Sequence, residues 1–421
     1  MVKLLAASLK VVLTLVVCYG AYMAARNGIA DWYYRNRTDK SGIEKAIQWA
    51  PENPEYHAAL ARSLQRSLVQ ESPEKVQQLF EKATQLGPTR TRYWTELGDV
   101  YELSGQEDAA VRAYERAKKL FPLSPDVNWR LGNFYIRTGR ISEALSTLQK
   151  AIIGNSGLRL ASFDLAWRAG ASEDLILGSL IPPDAEAYLL YNQYLVTIGR
   201  LDAAVSAWNR LVALGLTIRH AGAFGYLDAL IQARRVDEAG KAWQELLDRG
   251  PARLRESNGG ESLVTNGNFE ADILNGGCDW RVTAVDGAQV SIDTNSAMDG
   301  ARSLQVLFDG KQNLLYGHIL QYVRVKPNTL YHFSGYMRAE AISTDSGPRF
   351  EVMDAYSTEK LFMATESLRG TTGWTPLRME IRTGPDTTLI VVKIARLKSQ
   401  KFDNQIAGKA WIDRVSLVLA Q

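Results

Sequence analysis

Residues 94–122 read WTELGDVYELSGQEDAAVRAYERAKKLFP, and the large and small residues of this stretch return 34 positions later. Trp94, Leu97, Gly98, Tyr101, Ala110, Tyr114, Ala117 and Pro122 mark one copy. Leu131, Gly132, Tyr135, Ala144, Leu148 and Ala151 occupy the same slots in the next, with Trp129 one place off. A period of this length holds two helices. Gly98 and Ala110 let the two approach closely, Tyr101 and Tyr114 fill the gap between them, and Ala117 admits the next pair. Gly105, Gly139 and Gly199 fall at helix ends, and Pro88 and Pro122 stop second helices. One hairpin cannot bury its own apolar stripe, so neighbours must stack.

The period extends both ways. Phe80, Ala83 and Pro88 match second-helix slots upstream, as do Ala46 and Pro51 before them. Around Tyr56, Leu60 and Leu64 the match is out of step by three residues, which predicts a longer turn near VQESPEK at 69–75. Tyr188, Tyr191, Leu195, Ala204, Trp208 and Leu211 form a later copy. A degenerate one runs through Tyr226, Leu230, Ala239, Trp243 and Leu246, and 158–180 reads as helix that fits the period poorly. In these residues the chain resembles the tetratricopeptide repeat family, which implies a right-handed solenoid with a groove that binds a protein or peptide. The groove positions implied by the resemblance are Asp99, Glu102, Trp129, Asn133 and Arg137. Trp129 beside Asn133 and Arg137 would suit an extended peptide or a glycan. The alternative places Trp129 in the core, displaced by one residue.

Residues 4–25, LLAASLKVVLTLVVCYGAYMAA, form an apolar run of 22 residues. As a helix it spans about 33 Å, enough for a hydrocarbon core of about 30 Å. Lys10 can snorkel from it, and DWYYRNR at 31–37 suits a membrane interface. A cleaved signal peptide is the alternative, although the run is long and lacks a good small-x-small site. Arg26, Arg35, Arg37 and Lys40 outnumber Lys3 and Lys10. A literal positive-inside count therefore keeps the bulk of the chain cytoplasmic, whereas the character of the C-terminal region favours an extracytoplasmic location.

With 421 residues the chain exceeds one compact core. A net charge of +3 excludes a nucleic-acid footprint. Cys18 lies in the apolar run far from Cys278, so no disulfide between them is expected. The helical pattern ends near Arg249, and DRGPARLRESNGGES at 248–262 reads as linker. Beyond it Val323, Val325, Tyr331, Phe333, Gly335 and Met337 alternate with Tyr322, Arg324, His332, Ser334, Tyr336 and Arg338 across a KPN turn. That alternation indicates an antiparallel sandwich.

LVTNGNFE (263–270), Trp280, SLQV, QYVRVKPNTLYHFSGYMRAE, GWTPLRMEI and the closing AWIDRVSL resemble, in order, carbohydrate-binding modules of the family 4/9 type. The resemblance covers nearly all of 261–421 and implies a galactose-binding-like jelly roll. It also implies a structural calcium, with Glu270 and Asp413 as matching oxygen donors. Arg414 stands where the family often has a second acid. The alternative is that both carboxylates hydrogen-bond strand ends without metal. Candidate sugar contacts are Trp280, Tyr316, His332, Tyr336, Arg338 and Tyr356, since a pyranose offers an apolar C–H face to a ring. Alternatively most of these rings, with Trp374 and Trp411, plug the core.

No HExxH, nucleophile elbow, phosphate loop or dinucleotide fingerprint occurs, and the four histidines are scattered. The expected architecture is an N-terminal transmembrane helix (1–40), an all-α solenoid (41–250), a linker (251–260) and an all-β jelly-roll sandwich (261–421). The expected function is a non-catalytic adaptor at a bacterial inner membrane, without a required cofactor. Its solenoid would bind a protein and its sandwich a polysaccharide, in surface or exopolysaccharide export or assembly. A protein–protein scaffold whose sandwich no longer sees sugar is the alternative.

Overall fold

The computed structural model describes residues 2–37, 39–66, 72–249 and 261–420. Among them, fourteen α-helices precede ten β-strands. The chain divides into two compact units, Met1–Pro182 and Pro183–Gln421. The expected linker at 251–260 and part of the expected long turn at 69–75 lie outside the described residues.

In the first unit α1 (Val2–Asn36) and α2 (Lys40–Trp49) lead into three hairpins. These are α3 (Pro54–Arg66) with α4 (Pro73–Leu86), α5 (Thr91–Leu103) with α6 (Glu107–Leu120), and α7 (Pro125–Arg137) with α8 (Ile141–Gly154). The caps follow local chemistry. Ser124 accepts from the Val127 amide just before Pro125, which needs no amide partner at the first helical position. Gly105 ends α5 at φ +70, and the Gln106 amide reaches back to the Tyr101 carbonyl at 2.8 Å. Within the hairpins, a Cβ on Gly98 would lie 2.7 Å from the Tyr114 ring, and one on Gly132 2.7 Å from Leu148. Between hairpins one hydrogen bond recurs. Tyr101 Oη donates to Glu81 at 2.9 Å, and Tyr135 Oη to Glu115 at 2.7 Å, each partner displaced by 34 residues (81 to 115, 101 to 135). The region 158–180 yields two short helices, α9 (Arg159–Arg168) and α10 (Glu173–Ser179), in keeping with its poor fit to the period.

Over Lys10–Asn36, α1 is long and apolar enough to be a membrane span or a signal sequence. Its apolar run is bare: Val11 to Val17 present side chains around 60% exposed. Its last turns are not. Ala30 is buried against Ala46, Ala50 and Tyr56, Tyr34 stacks obliquely on Tyr56 at 5.1 Å, and Arg26 ion-pairs with Glu52. The apolar segment is therefore continuous with a helix end that packs against α2 and α3.

The second unit begins with α11 (Ala185–Thr197), α12 (Leu201–Ala213), α13 (Phe224–Gln232) and α14 (Val236–Arg249). The strands follow as β1 (Arg281–Val282), β2 (Ala288–Asp293), β3 (Ser303–Asp309), β4 (Tyr316–Arg324), β5 (Leu330–Ile342), β6 (Arg349–Asp354), β7 (Phe362–Ala364), β8 (Gly370–Arg382), β9 (Leu389–Arg396) and β10 (Ala407–Leu419). They form two antiparallel five-stranded sheets, β1-β4-β9-β6-β7 and β2-β3-β10-β5-β8. Inward residues of both, among them Phe308, Phe333, Phe350, Ile394 and Leu417, make one core, as the period-two pattern predicts.

Helices α13 and α14 dock on the sandwich. A Cβ on Gly276 would meet the Phe224 ring at 2.3 Å, and one on Gly277 (φ +60) the Trp243 ring at 2.4 Å, so the two glycines let this loop enter between the helices. Arg281 pairs with Asp228 while covering the Tyr322 ring at 5.1 Å. Tyr356 Oη donates to the Ile231 carbonyl at 2.8 Å.

Asp279, in the same loop, is 1% exposed; one oxygen accepts from the Leu274 amide at 2.7 Å and the other has no partner. Burial raises its pKa to about 6. A raised carboxyl destabilises the fold above that pH, and the effect fades as pH falls toward the unfolded value near 4. Asp279→Asn is expected to stabilise the protein by roughly 2 kcal/mol at pH 8 and to change little at pH 4. Thermal melts at the two pH values check this.

Candidate carbohydrate-binding face and repeat groove

The alternation along β5 sends His332, Ser334, Tyr336 and Arg338 outward, while Tyr331, Phe333 and Met337 point into the core. Register then sets their neighbours on β10: Arg338 opposite Trp411, Tyr336 opposite Asp413, Ser334 opposite Ser416. On the far side of β10, Trp411 faces Gln305 of β3, which faces Ser291 of β2. Three of the six expected sugar contacts, His332, Tyr336 and Arg338, thus share one sheet face.

The other three leave it. Trp280 is completely buried, packed on Phe269 with its indole N–H on the Asn266 carbonyl at 3.1 Å. Tyr316 is 3% exposed and sits edge-on to Phe308 in the core. Neither ring is available to a surface ligand. Tyr356 follows β6 in the opposite sheet and is held by α13, with Arg234 over its ring at 4.9 Å. Period-two patterning reveals direction only inside a strand, and these residues lie in a loop, at a strand start and in a turn.

Trp411 does belong to the face, contrary to its reading as a core plug. It is 4% exposed because Arg338 lies 4.6 Å from its ring centre and Lys409 6.0 Å. Its indole N–H donates to Asp293 at 2.6 Å, and Gln305 donates to the same carboxylate at 3.0 Å. The Asn295 amide, then Trp411, hold the Asp293 carboxyl below its usual range. Arg414 covers Tyr336 at 5.9 Å, and Arg338 donates to Ser296 at 2.9 Å. The face therefore offers one partly exposed ring, Tyr336, with Trp411 buried beneath Arg338, beside hydroxyl, amide, carboxylate and cationic groups, a mixture that suits a polyhydroxylated ligand.

Glu270 and Asp413 do not fit a calcium ion. Glu270 accepts the Ala301 and Arg302 amides at 2.7 and 3.0 Å. Asp413, fully buried, accepts Met298, Asp299 and its neighbour Arg414 at 2.8, 3.2 and 2.6 Å. Five N–H dipoles aim at these oxygens and would repel a dication. Burial raises the Asp413 carboxyl, with those amides opposing the shift. Among the described residues no cluster of three or more acids, histidines or cysteines is arranged for a metal. The two carboxylates clasp the 298–302 loop, and the two motifs quoted for them meet where the Val415 amide donates to the Gly267 carbonyl at 2.8 Å.

In the repeats, Tyr114 Oη donates to Asp99 at 2.6 Å and to Glu102 at 3.1 Å. Asp99 also pairs with Arg130, and Glu102 with Arg137, so three expected groove residues join α5, α6 and α7 in one network. Burial raises the Asp99 carboxyl while Tyr114 and Arg130 oppose it. Asn133 donates to the Trp129 carbonyl at 2.8 Å within α7, and Trp129 is half-buried. Sequence reasoning missed a recess of about 660 Å³ near the first hairpin, lined by Tyr34, Arg35, Arg62, Arg66 and Arg92. Its arginines come from three helices with no shared motif, so no local signal reveals it.

The family model of the tetratricopeptide repeat matches residues 103–155. No curated protein matches the chain. Among solved structures it is similar to PilF of Pseudomonas aeruginosa, at 21% identity and TM-score 0.30 over 51% of this chain and 96% of that one. It is also similar to the module TmCBM61 solved with β-1,4-galactotriose, at 16% identity and TM-score 0.28 over 38% and 100%. A family 16 carbohydrate-binding module is similar at 21% identity and TM-score 0.27 over 37% and 99%.

Proposed function

Taking the chain as a tetratricopeptide-repeat protein with a C-terminal module resembling carbohydrate-binding modules, we propose that it is a non-catalytic, membrane-anchored adaptor. The repeats bind a protein partner and the sandwich binds a polysaccharide. The anchor lies in a bacterial inner membrane with the bulk of the chain extracytoplasmic, where the adaptor serves export or assembly of a surface or exopolysaccharide. The observation that carries the carbohydrate reading is the outward face of β5 and β10, where Tyr336, Arg338, Lys409 and Gln305 converge over the buried Trp411. Retention of the anchor is supported by the unbroken α1, whose end is packed against α2 and α3.

A pure scaffold is the second reading, favoured by the burial of Trp280 and Tyr316 and by the cations lying over Trp411 and Tyr336. Affinity electrophoresis of the detergent-solubilised full chain through gels of different polysaccharides separates the two. The adaptor reading expects retardation in at least one gel. Unretarded migration in all of them supports the scaffold.

A further inference from the structure

Paired contacts fix how α1 leaves the first unit. Lys45 of α2 lies over the Tyr33 ring, Ala46 and Ala50 pack with Ala30, and Arg26 pairs with Glu52. The two helices therefore run antiparallel, and the apolar run emerges before Arg26, level with the α2–α3 turn. Tyr22 and Tyr19 follow within two turns and are exposed, at the height where rings meet lipid headgroups.

The second helices of the hairpins end on this same edge. A Cβ on Gly87, just past α4, would lie 3.2 Å from Pro54 at the start of α3. One on Gly154, at the end of α8, would lie 2.7 Å from Pro125 and 3.3 Å from the Leu123 carbonyl. Phe121 caps α6 in the slot that Gly87 holds one repeat earlier. The α2–α3, α4–α5 and α6–α7 turns thus line one edge of the repeats, and α1 departs from it.

The side chains there are unlike those of the opposite edge. Trp49, Phe121, Leu123 and Ile153 are between 42 and 67% exposed. Arg90, Lys119 and Lys150 are exposed among them, while Glu52 and Asp126 are matched by Arg26 and Arg130. The opposite edge begins its helices with Glu74, Glu107, Asp108 and Glu143. Its Arg137 and Arg140 are paired with Glu102 and Glu143, and its exposed Leu103 has acids beside it. Bare apolar side chains interleaved with cations suit the boundary between phosphate headgroups and acyl chains. The course of α1 brings that boundary to this edge and to no other.

We propose that this edge of the repeats lies on the bilayer that α1 spans, with anionic phospholipid as its partner. The inference rests on the retained anchor read above and adds a second, peripheral attachment. Together the two attachments fix the orientation of the repeats over the membrane.

Photo-crosslinking tests it, with the full chain reconstituted in vesicles of phosphatidylglycerol and phosphatidylcholine in equal parts. p-Benzoylphenylalanine replaces Val16, Leu123, Ile153 or Leu103 singly, all of them exposed. Each variant is first checked for an unchanged melting temperature. Mass spectrometry is expected to find lipid adducts at Val16, Leu123 and Ile153, and few at Leu103. Lys119→Glu combined with Lys150→Glu lowers the Leu123 yield about fivefold, as does omission of phosphatidylglycerol, while the Val16 yield holds. Adducts at Val16, with no more at Leu123 and Ile153 than at Leu103, overturn the docked edge and leave the anchor standing. Edge yields that ignore both the charge reversal and the lipid change overturn the anionic partner. No adduct at Val16 overturns the anchor and the docked edge together.

Discussion

Gly277→Val is expected to lower stability by at least about 3 kcal/mol and to release the helices from the sandwich. The residue sits at φ +60, where a β-branched side chain is strained by about 1–3 kcal/mol. Its new Cβ would stand 2.4 Å from the Trp243 ring, and overpacking of a tight contact adds a similar amount. Neither backbone nor ring has room to yield, because Gly276 meets Phe224 just as closely and Arg281 is fixed by Asp228 and by Tyr322. Once Trp243 is displaced, the thiol of Cys278, which burial pushes up to about 12, becomes an ordinary reactive cysteine. Scanning calorimetry and the alkylation rate of Cys278 check both effects. A variant that melts as one transition at the parental temperature would contradict the docking described here.

Arg62→Ala is expected to cost about 3 kcal/mol in the first unit, more than a surface ion pair would. Arg62 is only 12% exposed in its side chain and bridges Glu55 at 2.7 Å and Glu96 at 2.7 Å. Glu96 pairs with Arg92 as well, and Tyr93 donates to Glu55 at 2.9 Å. Removing the guanidinium leaves Glu55 with only the Tyr93 hydroxyl and Glu96 with only the exposed Arg92 to compensate its charge. The pH dependence identifies the cause. Burial tends to raise the Glu55 carboxyl, yet the Arg62 and Tyr93 hydrogen bonds outweigh it and hold the group below its ordinary value. A depressed carboxyl stabilises the fold above the unfolded pKa near 4.3, and the contribution is lost as pH falls through the folded value. In Arg62→Ala the direction reverses, so the variant gains stability relative to the parent on going from pH 7 to pH 4. Chemical denaturation at both pH values reads the difference.

The helical half was legible because its determinants are local and repeated. Gly98 before Tyr114 and Gly132 before Leu148 are the same contact read twice, and a period of 34 exposes such pairs without coordinates. The networks built on that frame were only half legible. Asp99, Glu102 and Arg137 stood out as groove positions, whereas Tyr114 and Arg130, which tie them together, looked like packing and surface. In the sandwich, alternation placed His332, Tyr336 and Arg338 on one face. It could not place Trp411 beside them, since that depends on the pairing of β10 with β5 across a bulge between Asp413 and Ser416. Glu270 and Asp413 matched a metal-site motif by identity alone, and the amides that occupy them come from a loop no motif marks.

The most direct test of the account is equilibrium binding of a retained polysaccharide to the full-length protein and to Tyr336→Ala, with the glycan's chain length measured before and after incubation. The account predicts at least tenfold weaker binding to the variant at an unchanged melting temperature, because an aromatic contact and its neighbouring hydrogen bonds are removed together. It also predicts a glycan recovered at its original length. Equal affinity in the two proteins, or a shortened glycan, would contradict it.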